Sequence, residues 1–420
     1  MIQTENFTDM GSLLGVLNKS MNLINPEVED HHEKTAYLSY MLGKTMGIDE
    51  VLLGKLVYAS LLHDIGSVST EEQQSVEELE AEAYTISAFG ADMLRDMEEL
   101  SMIADIIEFC QCGYGTIQGA LDLGQIKDTD TALLSSVIHL ADKVAVMLDK
   151  PGRILNNLSE VLEIVGQYAG IEFDPQATEA LMTLSKSEYV WFDMMYDPWC
   201  VFDMAALNGP VSLERTTSLT EVMSKIVDYR SSFTAMHSAG VAASAVAMAM
   251  LSGMNSEERL MMKIAGYLHD IGKLVVPKSI LEKPGKLTDE EFNIIKEHPY
   301  YTRAILSNVK GFDTIAHWAG NHHEKISGKG YPRHLSGADL DLGDKIMSVA
   351  DIFTAITEIR PYRDGMDKEQ AMKVMRENVE YGALDEDLVA LLHDNYDMIF
   401  GIKEDVSRAR GKRYFDSLHR

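Results

Sequence analysis

Apolar residues recur along most of the chain with the spacing of amphipathic or buried helices, and the alternating patterns typical of strands are scarce. In the first half this pattern predicts a long helix that opens at His31 and further helices over 50–62, 76–97 and 101–109. In the second half the longest uncharged apolar run, about 239–254, predicts a buried Ala-rich helix. That run is shorter than the roughly 20 residues that a membrane span needs. The sequence therefore predicts an all-α protein.

Short polar motifs within these helices occur in the same order in both halves of the chain. The paired positions are His31 and His237, His63-Asp64 and His269-Asp270, Cys110-Gln111 and His322-His323, and Asp142 and Asp351. Their offset stays between 206 and 212 residues. A period of about 210 residues indicates a duplicated domain rather than a solenoid of short repeats.

The repeat sets the predicted domain boundaries: a first domain over 1–185, an aromatic-rich inter-domain segment over 186–218, a second domain over 219–402 and a basic C-terminal tail over 403–420. For the aromatic-rich segment we expect a helix packed between the domains, with a ligand platform as the alternative. For the tail we expect a solvated end or an intramolecular contact rather than a nucleic-acid-binding arm.

Composition limits the classes of partner and the cellular compartment that we expect for this protein. A formal net charge of −29 repels nucleic-acid polymers, whereas a small anionic substrate requires only local cations. Three cysteines supply no disulfide framework and fit a reducing compartment. The N-terminal residues, MIQTENFTDM, lack the basic start and apolar run of a signal peptide. We therefore expect a soluble cytoplasmic protein without membrane contacts.

The second half holds the strongest chemical signal, because residues 321–332 read NHHEKISGKGYP. Adjacent histidines held in fixed positions are typical of metal sites. We expect His237, His269 and Asp351 to hold one cation and His298, His322 and His323 a second, with Asp270 bridging both. Mixed imidazole and carboxylate ligands favour iron, manganese or zinc over magnesium or calcium. Two such cations activate water for phosphoryl transfer, and Lys273 is placed to neutralise a phosphate oxygen.

Residues 220–400 resemble an HD-GYP domain, the cyclic di-GMP phosphodiesterase branch of the HD phosphohydrolase superfamily. The resemblance rests on five segments: HDIGK (269–273), EHP (297–299), HHEKISGKGYP (322–332), VAD (349–351) and RPYR (360–363). It implies two HD-type helical bundles in tandem, the second an HD-GYP domain.

The resemblance also implies functional residues. The metal ligands carry over to His237, His269, Asp270, His298, His322, His323 and Asp351. Asp270 and Lys273 carry over as catalytic residues, and the substrate contacts fall on Gly330, Tyr331, Arg360 and Arg363. Some relatives hold a third metal with a glutamate four residues before the first histidine, where this chain has Phe233. We therefore expect two divalent metals, iron in the first place and manganese as the alternative.

The first copy retains only part of this set. The four residues His31, His63, Asp64 and Asp142 match the one-metal set of the wider HD superfamily and form a candidate vestigial metal site. Ile86, Cys110 and Gln111 replace the second-metal histidines, and Ser67 replaces the lysine. Glu27 precedes His31 by four residues, and we interpret it as a surface acid. We expect this domain to pack against or regulate the active copy, to dimerise, or to bind a partner signalling protein, and not to hydrolyse phosphodiesters.

The predicted function is a phosphodiesterase that opens cyclic di-GMP to pGpG, GMP or both. A preference for cyclic GMP-AMP is the alternative within the same class. A non-catalytic cyclic-dinucleotide receptor or scaffold is an alternative of another class. A third alternative, a different HD hydrolase acting on nucleotides, is disfavoured by the GYP segment.

Overall fold

The computed structural model describes residues 7–24, 30–69, 76–95, 100–149, 153–201, 209–229, 236–283, 285–359 and 364–418. Over these residues the chain is almost entirely helical, which confirms the predicted fold class. The helices are, in chain order, α1 (Met10–Ile24), α2 (His31–Met46), α3 (Glu50–Leu62), α4 (Val76–Arg95), α5 (Ser101–Phe109), α6 (Tyr114–Asp122), α7 (Thr129–Leu148), α8 (Ile154–Gln167), α9 (Pro175–Leu184), α10 (Glu188–Tyr196), α11 (Leu213–Tyr229), α12 (His237–Leu251), α13 (Ser256–Leu268), α14 (Lys278–Leu281), α15 (Asp289–Ile295), α16 (His298–Leu306), α17 (Asp313–Gly320), α18 (Leu342–Thr357), α19 (Lys368–Glu380), α20 (Glu386–Asp394) and α21 (Tyr396–Leu418).

Short elements connect some of these helices. Single 3-10 turns span Ile65–Ser69, Pro198–Val201 and Ile271–Val275. Two two-residue strands, β1 (Thr8–Asp9) and β2 (Pro210–Val211), pair antiparallel.

The chain divides into two compact units, and the division differs from the predicted boundaries. Residues 25–209 form the first domain, and residues 1–24 together with 210–420 form the second domain. In the first domain α2 packs against α3, α7 and α9, and in the second α12 packs against α13, α18 and α21. The two central helices, α2 and α12, begin at the paired histidines of the sequence repeat.

The first 24 residues belong to the second domain because their backbone and apolar side chains pack there. Thr8 in β1 pairs with Val211 in β2. The Phe7 ring centroid lies 5.9 Å from that of Phe312, and both rings are buried. Helix α1 lies against α16 and the 271–275 turn. An apolar helical pattern at the start of a chain does not indicate which domain the helix will pack against. For this reason the predicted first domain, 1–185, includes 24 residues that belong to the second domain.

The predicted inter-domain segment, 186–218, is divided between the two domains. Helix α10 packs against α2 and α8 of the first domain, with Val190, Trp191 and Met194 buried. Strand β2 and helix α11 belong to the second domain. The aromatic residues of α10 are therefore partly core residues of the first domain.

The predicted tail, 403–420, continues helix α21 over its described residues. Lys403 is buried at 1% exposure, and its Nζ donates to Thr357 Oγ1 at 3.0 Å and approaches Glu404 at 2.9 Å. Of the two outcomes expected for this tail, the intramolecular contact therefore holds at Lys403. The contact ties α21 to the C-terminal end of α18.

Each domain contains a long apolar helix that is largely buried. Among the described helices, α7 is the one long and apolar enough to cross a membrane, but 72% of its apolar window is buried within the protein. Helix α12, the predicted Ala-rich helix, owes its small residues to close packing. A Cβ on Gly266 of α13 would lie 2.5 Å from the Cα of Ala242 on α12, so these helix backbones almost touch.

Candidate metal centres

The histidines and aspartates of the second domain come largely from helix ends that converge on one point. α12 and α16 begin with a histidine, α13 is followed directly by His269-Asp270, and α17 leads into His322-His323. Asp351 projects from the middle of α18. Six of the converging side chains are buried, namely His237, His269, Asp270, His298, His322 and Asp351.

Three of these imidazoles are oriented by the same local hydrogen bond. The Nδ1 atoms of His269, His298 and His322 lie 2.6–2.8 Å from the carbonyl oxygen of the residue three positions earlier. A carbonyl oxygen only accepts, so each Nδ1 carries a proton, and Nε2 is the ring nitrogen directed at the cluster. A metal-binding imidazole has this orientation when its other nitrogen donates to the backbone.

The possible ligand atoms of this cluster include two groups of three residues that share no member, and a third group, His269, Asp270 and His322, overlaps both; within each group these atoms lie within 4.8 Å of one another. The first group is His237, His269 and Asp351, and the second group is His298, His322 and His323. Asp270 lies between the groups. Its Oδ2 is 3.3 Å from His269 Nε2, and its Oδ1 is 3.4 Å from His298 Nε2 and 3.8 Å from His322 Nε2.

The cluster fits divalent cations on electrostatic grounds. His269 Nε2 and Asp270 Oδ1 are buried and have no hydrogen-bond partner in the described part of the chain. A lone pair that faces a carboxylate oxygen is repelled by it unless a cation or a proton lies between them. Imidazole and carboxylate donors together suit divalent transition metals.

Burial and hydrogen bonding shift the pKa values of histidines in the two groups in opposite directions. Burial lowers the pKa of His298 to about 3 and that of His322 to about 4, so both rings are neutral at pH 7. Burial also lowers the pKa of His237, but hydrogen bonds with Asp351 and Glu358 outweigh it and raise the pKa to about 10. A cation that binds the first group must therefore displace a proton from His237.

Two further side chains touch the cluster from its edge. Lys273 Nζ lies 2.5 Å from Asp270 Oδ2, and the lysine side chain is 24% exposed, so its ammonium group is accessible to an anion from outside. Glu358 Oε2 lies 3.4 Å from His237 Nδ1, the position of an outer carboxylate that orients a metal-binding imidazole. Sequence reasoning missed Glu358. Its spacing of seven residues from Asp351, two helical turns on the same face, is the signal that could have found it.

The GYP loop closes over the second group. Glu324 is buried and accepts backbone N–H bonds from Arg333 at 2.6 Å and Leu335 at 3.0 Å, so it anchors the loop. A Cβ on Gly330 would overlap the backbone of Glu324, which explains the glycine at this position. The Tyr331 ring centroid lies 5.0 Å from that of His323, so this residue, predicted to contact the substrate, lies beside the cluster.

Four residues of the sequence analysis lie outside the described residues. They are the predicted substrate contacts Arg360 and Arg363, Phe233 at the third-metal position, and the predicted surface acid Glu27. Their roles stay predictions.

In the first domain the four residues of the candidate vestigial site come together. His31 Nε2 lies 2.9 Å from Asp142 Oδ1, and His63 Nε2 lies 3.1 Å from Asp64 Oδ2. Ligand atoms of His31, His63 and Asp64 lie within 4.8 Å of one another. The His31–Asp142 and His63–Asp64 contacts repeat those of His237 with Asp351 at 3.2 Å and of His269 with Asp270 at 3.3 Å.

Among the described residues of the first domain, the positions that correspond to the second group hold no histidine. A Cβ on Gly66 would overlap the carbonyl oxygen of Ile86, and a Cβ on Gly272 would overlap that of His298. The two glycines therefore contact corresponding residues, which confirms the pairing of Ile86 with His298. Gln111, which pairs with His323, donates from Nε2 to Asp64 Oδ1 at 3.4 Å.

One residue of this cluster was absent from the sequence analysis. His32 is buried at 2% exposure, and its Nε2 lies 3.8 Å from Asp64 Oδ2. The adjacency that marked His322-His323 also exists at His31-His32, so the sequence contained the signal for it.

Comparisons with known proteins agree with the duplicated architecture. The family model described as HD domain matches residues 28–147, and a second model of the same description matches residues 221–388. A 3′3′-cGAMP-specific phosphodiesterase 1 of Vibrio cholerae is 28% identical over 380 residues, which is 87% of either chain. The cyclic di-GMP phosphodiesterase response regulator RpfG of Xanthomonas campestris is 33% identical over 171 residues, 40% of this chain and 45% of that protein.

The fold also has a solved counterpart. A crystal structure of a cyclic GMP-AMP specific phosphodiesterase of Vibrio cholerae, V-cGAP3, superposes with a TM-score of 0.64. The superposition covers 93% of this chain and 98% of that one at 24% sequence identity. At this level of identity the likeness establishes the fold.

Proposed function

Because this chain belongs to the HD-GYP proteins and carries two HD domains in tandem, we propose that it is a metal-dependent phosphodiesterase that hydrolyses a cyclic dinucleotide in its second domain. The observation that carries the proposal is Asp270, whose two carboxylate oxygens face different histidine groups. Lys273 lies against the same carboxylate and is partly exposed.

The side chains around Asp270 fit hydrolysis of a phosphodiester. When bound, two divalent cations lower the pKa of water and stabilise both the attacking and the leaving oxygen. Asp270 would offer one oxygen to each group and so fix the separation of the two sites. The Lys273 ammonium would bind a non-bridging phosphate oxygen. That local positive charge counters the repulsion of an anionic substrate by a chain of net charge −29.

The reaction balances as a simple hydrolysis. The water oxygen adds to phosphorus, and the bond from phosphorus to the leaving ribose oxygen breaks. One proton of the water ends on that leaving oxygen. Opening one of the two phosphodiesters gives a linear dinucleotide with a terminal phosphate, and hydrolysis of the remaining one gives mononucleotides.

For the substrate we place 3′3′-cyclic GMP-AMP first and cyclic di-GMP second. The cGAMP-specific relative aligns across both domains, whereas RpfG, named for cyclic di-GMP, aligns with 40% of this chain. Both ligands contain purine bases, which an exposed aromatic surface would stack. Beside the cluster the half-buried Tyr331 ring and the exposed Phe292 ring contact each other edge to face, with centroids 6.2 Å apart, and Phe292 offers the exposed face.

The experiment is a turnover assay on the full chain, purified anaerobically and loaded with Fe²⁺ or with Mn²⁺. Separate reactions with 3′3′-cyclic GMP-AMP and cyclic di-GMP are followed by chromatography of the linear products. We expect hydrolysis of both, with the higher kcat/KM for 3′3′-cyclic GMP-AMP. A higher kcat/KM for cyclic di-GMP would reverse the order of the substrates.

A matched pair of variants tests where the chemistry occurs. His323→Ala removes a member of the second group and should abolish turnover, whereas Gln111→Ala changes the corresponding position of the first domain and should leave kcat intact. Loss of turnover in both variants would contradict a reaction confined to the second domain. Tight dinucleotide binding without turnover by the metal-loaded wild type would make the protein a receptor.

A further inference from the structure

The first domain contains a cavity that the proposed hydrolysis does not use. Its volume is about 290 Å³, close to the lower limit for small-molecule sites. Three of its lining residues, Lys143, Val146 and Met147, share one face of α7, because residues three and four apart lie side by side on a helix. The others come from α8 and from the loop that follows it, namely Ile164, Tyr168, Glu172 and Phe173.

The loop between α8 and α9, which carries Glu172, is fixed by backbone hydrogen bonds. The carbonyl oxygens of Ile171 and Glu172 accept from the N–H groups of Gly115 and Tyr114, at 3.0 and 2.8 Å, so the loop is joined to the start of α6. Within the loop, the Glu172 N–H donates to the carbonyl oxygen of Tyr168 at 3.0 Å. The loop residues that line the cavity therefore have fixed backbone positions, as is usual for a preformed ligand site.

The carboxylate of Glu172 is oriented by groups behind it and remains accessible. His139, a buried residue of α7, donates from Nε2 to Glu172 Oε1 at 2.9 Å. This hydrogen bond lowers the pKa of Glu172 from its ordinary value of 4.5, so the group is an anion at pH 7. A Cβ on Gly113 would lie 2.6 Å from Glu172 Oε2, so the glycine leaves room for the carboxylate. The Glu172 side chain is nevertheless 45% exposed.

Lys143 brings the opposite charge to the same cavity. Its positive charge also lowers the pKa of Glu172, which shows that the two groups attract each other. A ligand with a single charge would separate them and replace only one side of this attraction. A ligand that carries both an ammonium and a carboxylate group replaces both sides with charge-assisted hydrogen bonds. Such a ligand is neutral overall, so the net charge of −29 does not repel it.

The walls of the cavity favour an apolar body for the ligand. Val146, Met147 and Ile164 are only partly buried by the described part of the chain, and Phe173 is 4% exposed. The Tyr168 ring, at 50% exposure, adds an aromatic surface. A hydrocarbon group against these side chains removes apolar surface from water on both partners.

We propose that the first domain binds a small zwitterion with an apolar body, namely an α-amino acid of the size of leucine or phenylalanine. Its ammonium group would bind Glu172 and its carboxylate Lys143, with the side chain against Val146, Met147 and Ile164. The proposal is independent of the hydrolysis proposed for the second domain. It gives the first domain a ligand of its own, as a regulatory domain requires.

The test is isothermal titration calorimetry of the full chain with L-leucine and with L-phenylalanine. Each amino acid is compared with two analogues that lack one charged group: 4-methylpentanoate and 3-methylbutylamine for leucine, and 3-phenylpropanoate and 2-phenylethylamine for phenylalanine. We expect saturable binding of at least one amino acid, and at least about tenfold weaker binding of both its analogues. Absence of saturable binding for both amino acids would overturn the proposal. An analogue that binds as tightly as its parent would also overturn it, because only one charge would then be recognised.

Two variants of similar side-chain size assign the charges. Glu172→Gln and Lys143→Gln should each weaken the amino acid about tenfold. Glu172→Gln should also bind the amino acid and the analogue without an ammonium group with nearly equal affinity, because the partner of that group is gone. Glu163→Gln, which removes an exposed acid of α8 outside the cavity, is the matched control and should leave the affinity unchanged. Far-UV circular dichroism checks that each variant is folded. Undiminished affinity in both charge variants would exclude this cavity as the site.

Discussion

Removing the Phe7 side chain should destabilise the second domain, although Phe7 precedes the first domain in sequence. Phe7 is 4% exposed and packs against Phe312, which is fully buried. A buried Phe→Ala change costs about 3–5 kcal/mol. Residues 7–24 are held by one short strand pair and helix α1, and the loss cannot exceed the free energy with which this segment docks. We therefore expect the lower end of the range, about 3 kcal/mol.

The three tryptophans of the chain allow this loss to be assigned to a domain. Trp191 and Trp199 lie in the first domain and Trp318 in the second. With the first two replaced by Phe, fluorescence in urea follows Trp318, which is 5% exposed and therefore sensitive to unfolding. For an m-value of about 3 kcal/mol/M, a loss of about 3 kcal/mol lowers the midpoint by about 1 M.

The matched control is Phe173→Ala, which removes an equally buried ring from the first domain. It should leave the Trp318 transition in place. If Phe7→Ala leaves that transition unchanged, or if Phe173→Ala shifts it as far, residues 7–24 do not stabilise the second domain selectively. The assignment of this segment would then be refuted.

Four further predictions concern the site. Lys273→Ala should lower kcat about 100-fold. Ser67→Ala, at the corresponding position of the first domain, should leave kcat unchanged. Equal losses of kcat in the two variants would contradict a reaction located in the second domain. The pKa of His237 is raised from 6.5 to about 10, so a metal ion that binds this ring must displace a proton. Mn²⁺ affinity, measured by chelator competition, should therefore rise about tenfold per pH unit from pH 7 to 9. An affinity that does not change with pH would refute this prediction. By the same linkage, the ring stabilises the metal-free protein fully below pH 6.5 and this stabilisation is lost as the pH rises through 10, so urea melts should show falling stability across that window. Gly330→Ala should lower kcat/KM about tenfold with unchanged metal content, because the new methyl group collides with the backbone of Glu324; unaltered kinetics would mean that the loop relaxes.

Local sequence patterns predicted the helices well but did not predict the tertiary contacts between them. The predicted helices over 50–62 and 101–109 match α3 and α5, because apolar spacing and an Asp49 N-cap that accepts from two backbone N–H groups act within a few residues. The seven proposed metal ligands were taken from the HDIGK, EHP, HHEKISGKGYP and VAD segments and from the family resemblance, and their role as ligands stays a prediction. The docking of Phe7 depends on the pairing of β1 with β2, two strands about 200 residues apart in sequence. No local pattern indicates such a pairing.

The two domains differ most in what surrounds one aspartate. In the second domain both oxygens of Asp270 face imidazole nitrogens; Oδ2 also bonds to Lys273, and Oδ1 is buried without a hydrogen-bond partner in the described part of the chain. In the first domain the amide of Gln111 bonds to Oδ1 of Asp64, which satisfies the oxygen that loss of the second histidine group would have left exposed. The other oxygen, Oδ2, still faces His63 and His32. Asp64 therefore has an amide donor at one oxygen and imidazoles near the other, whereas Asp270 has imidazoles near both oxygens.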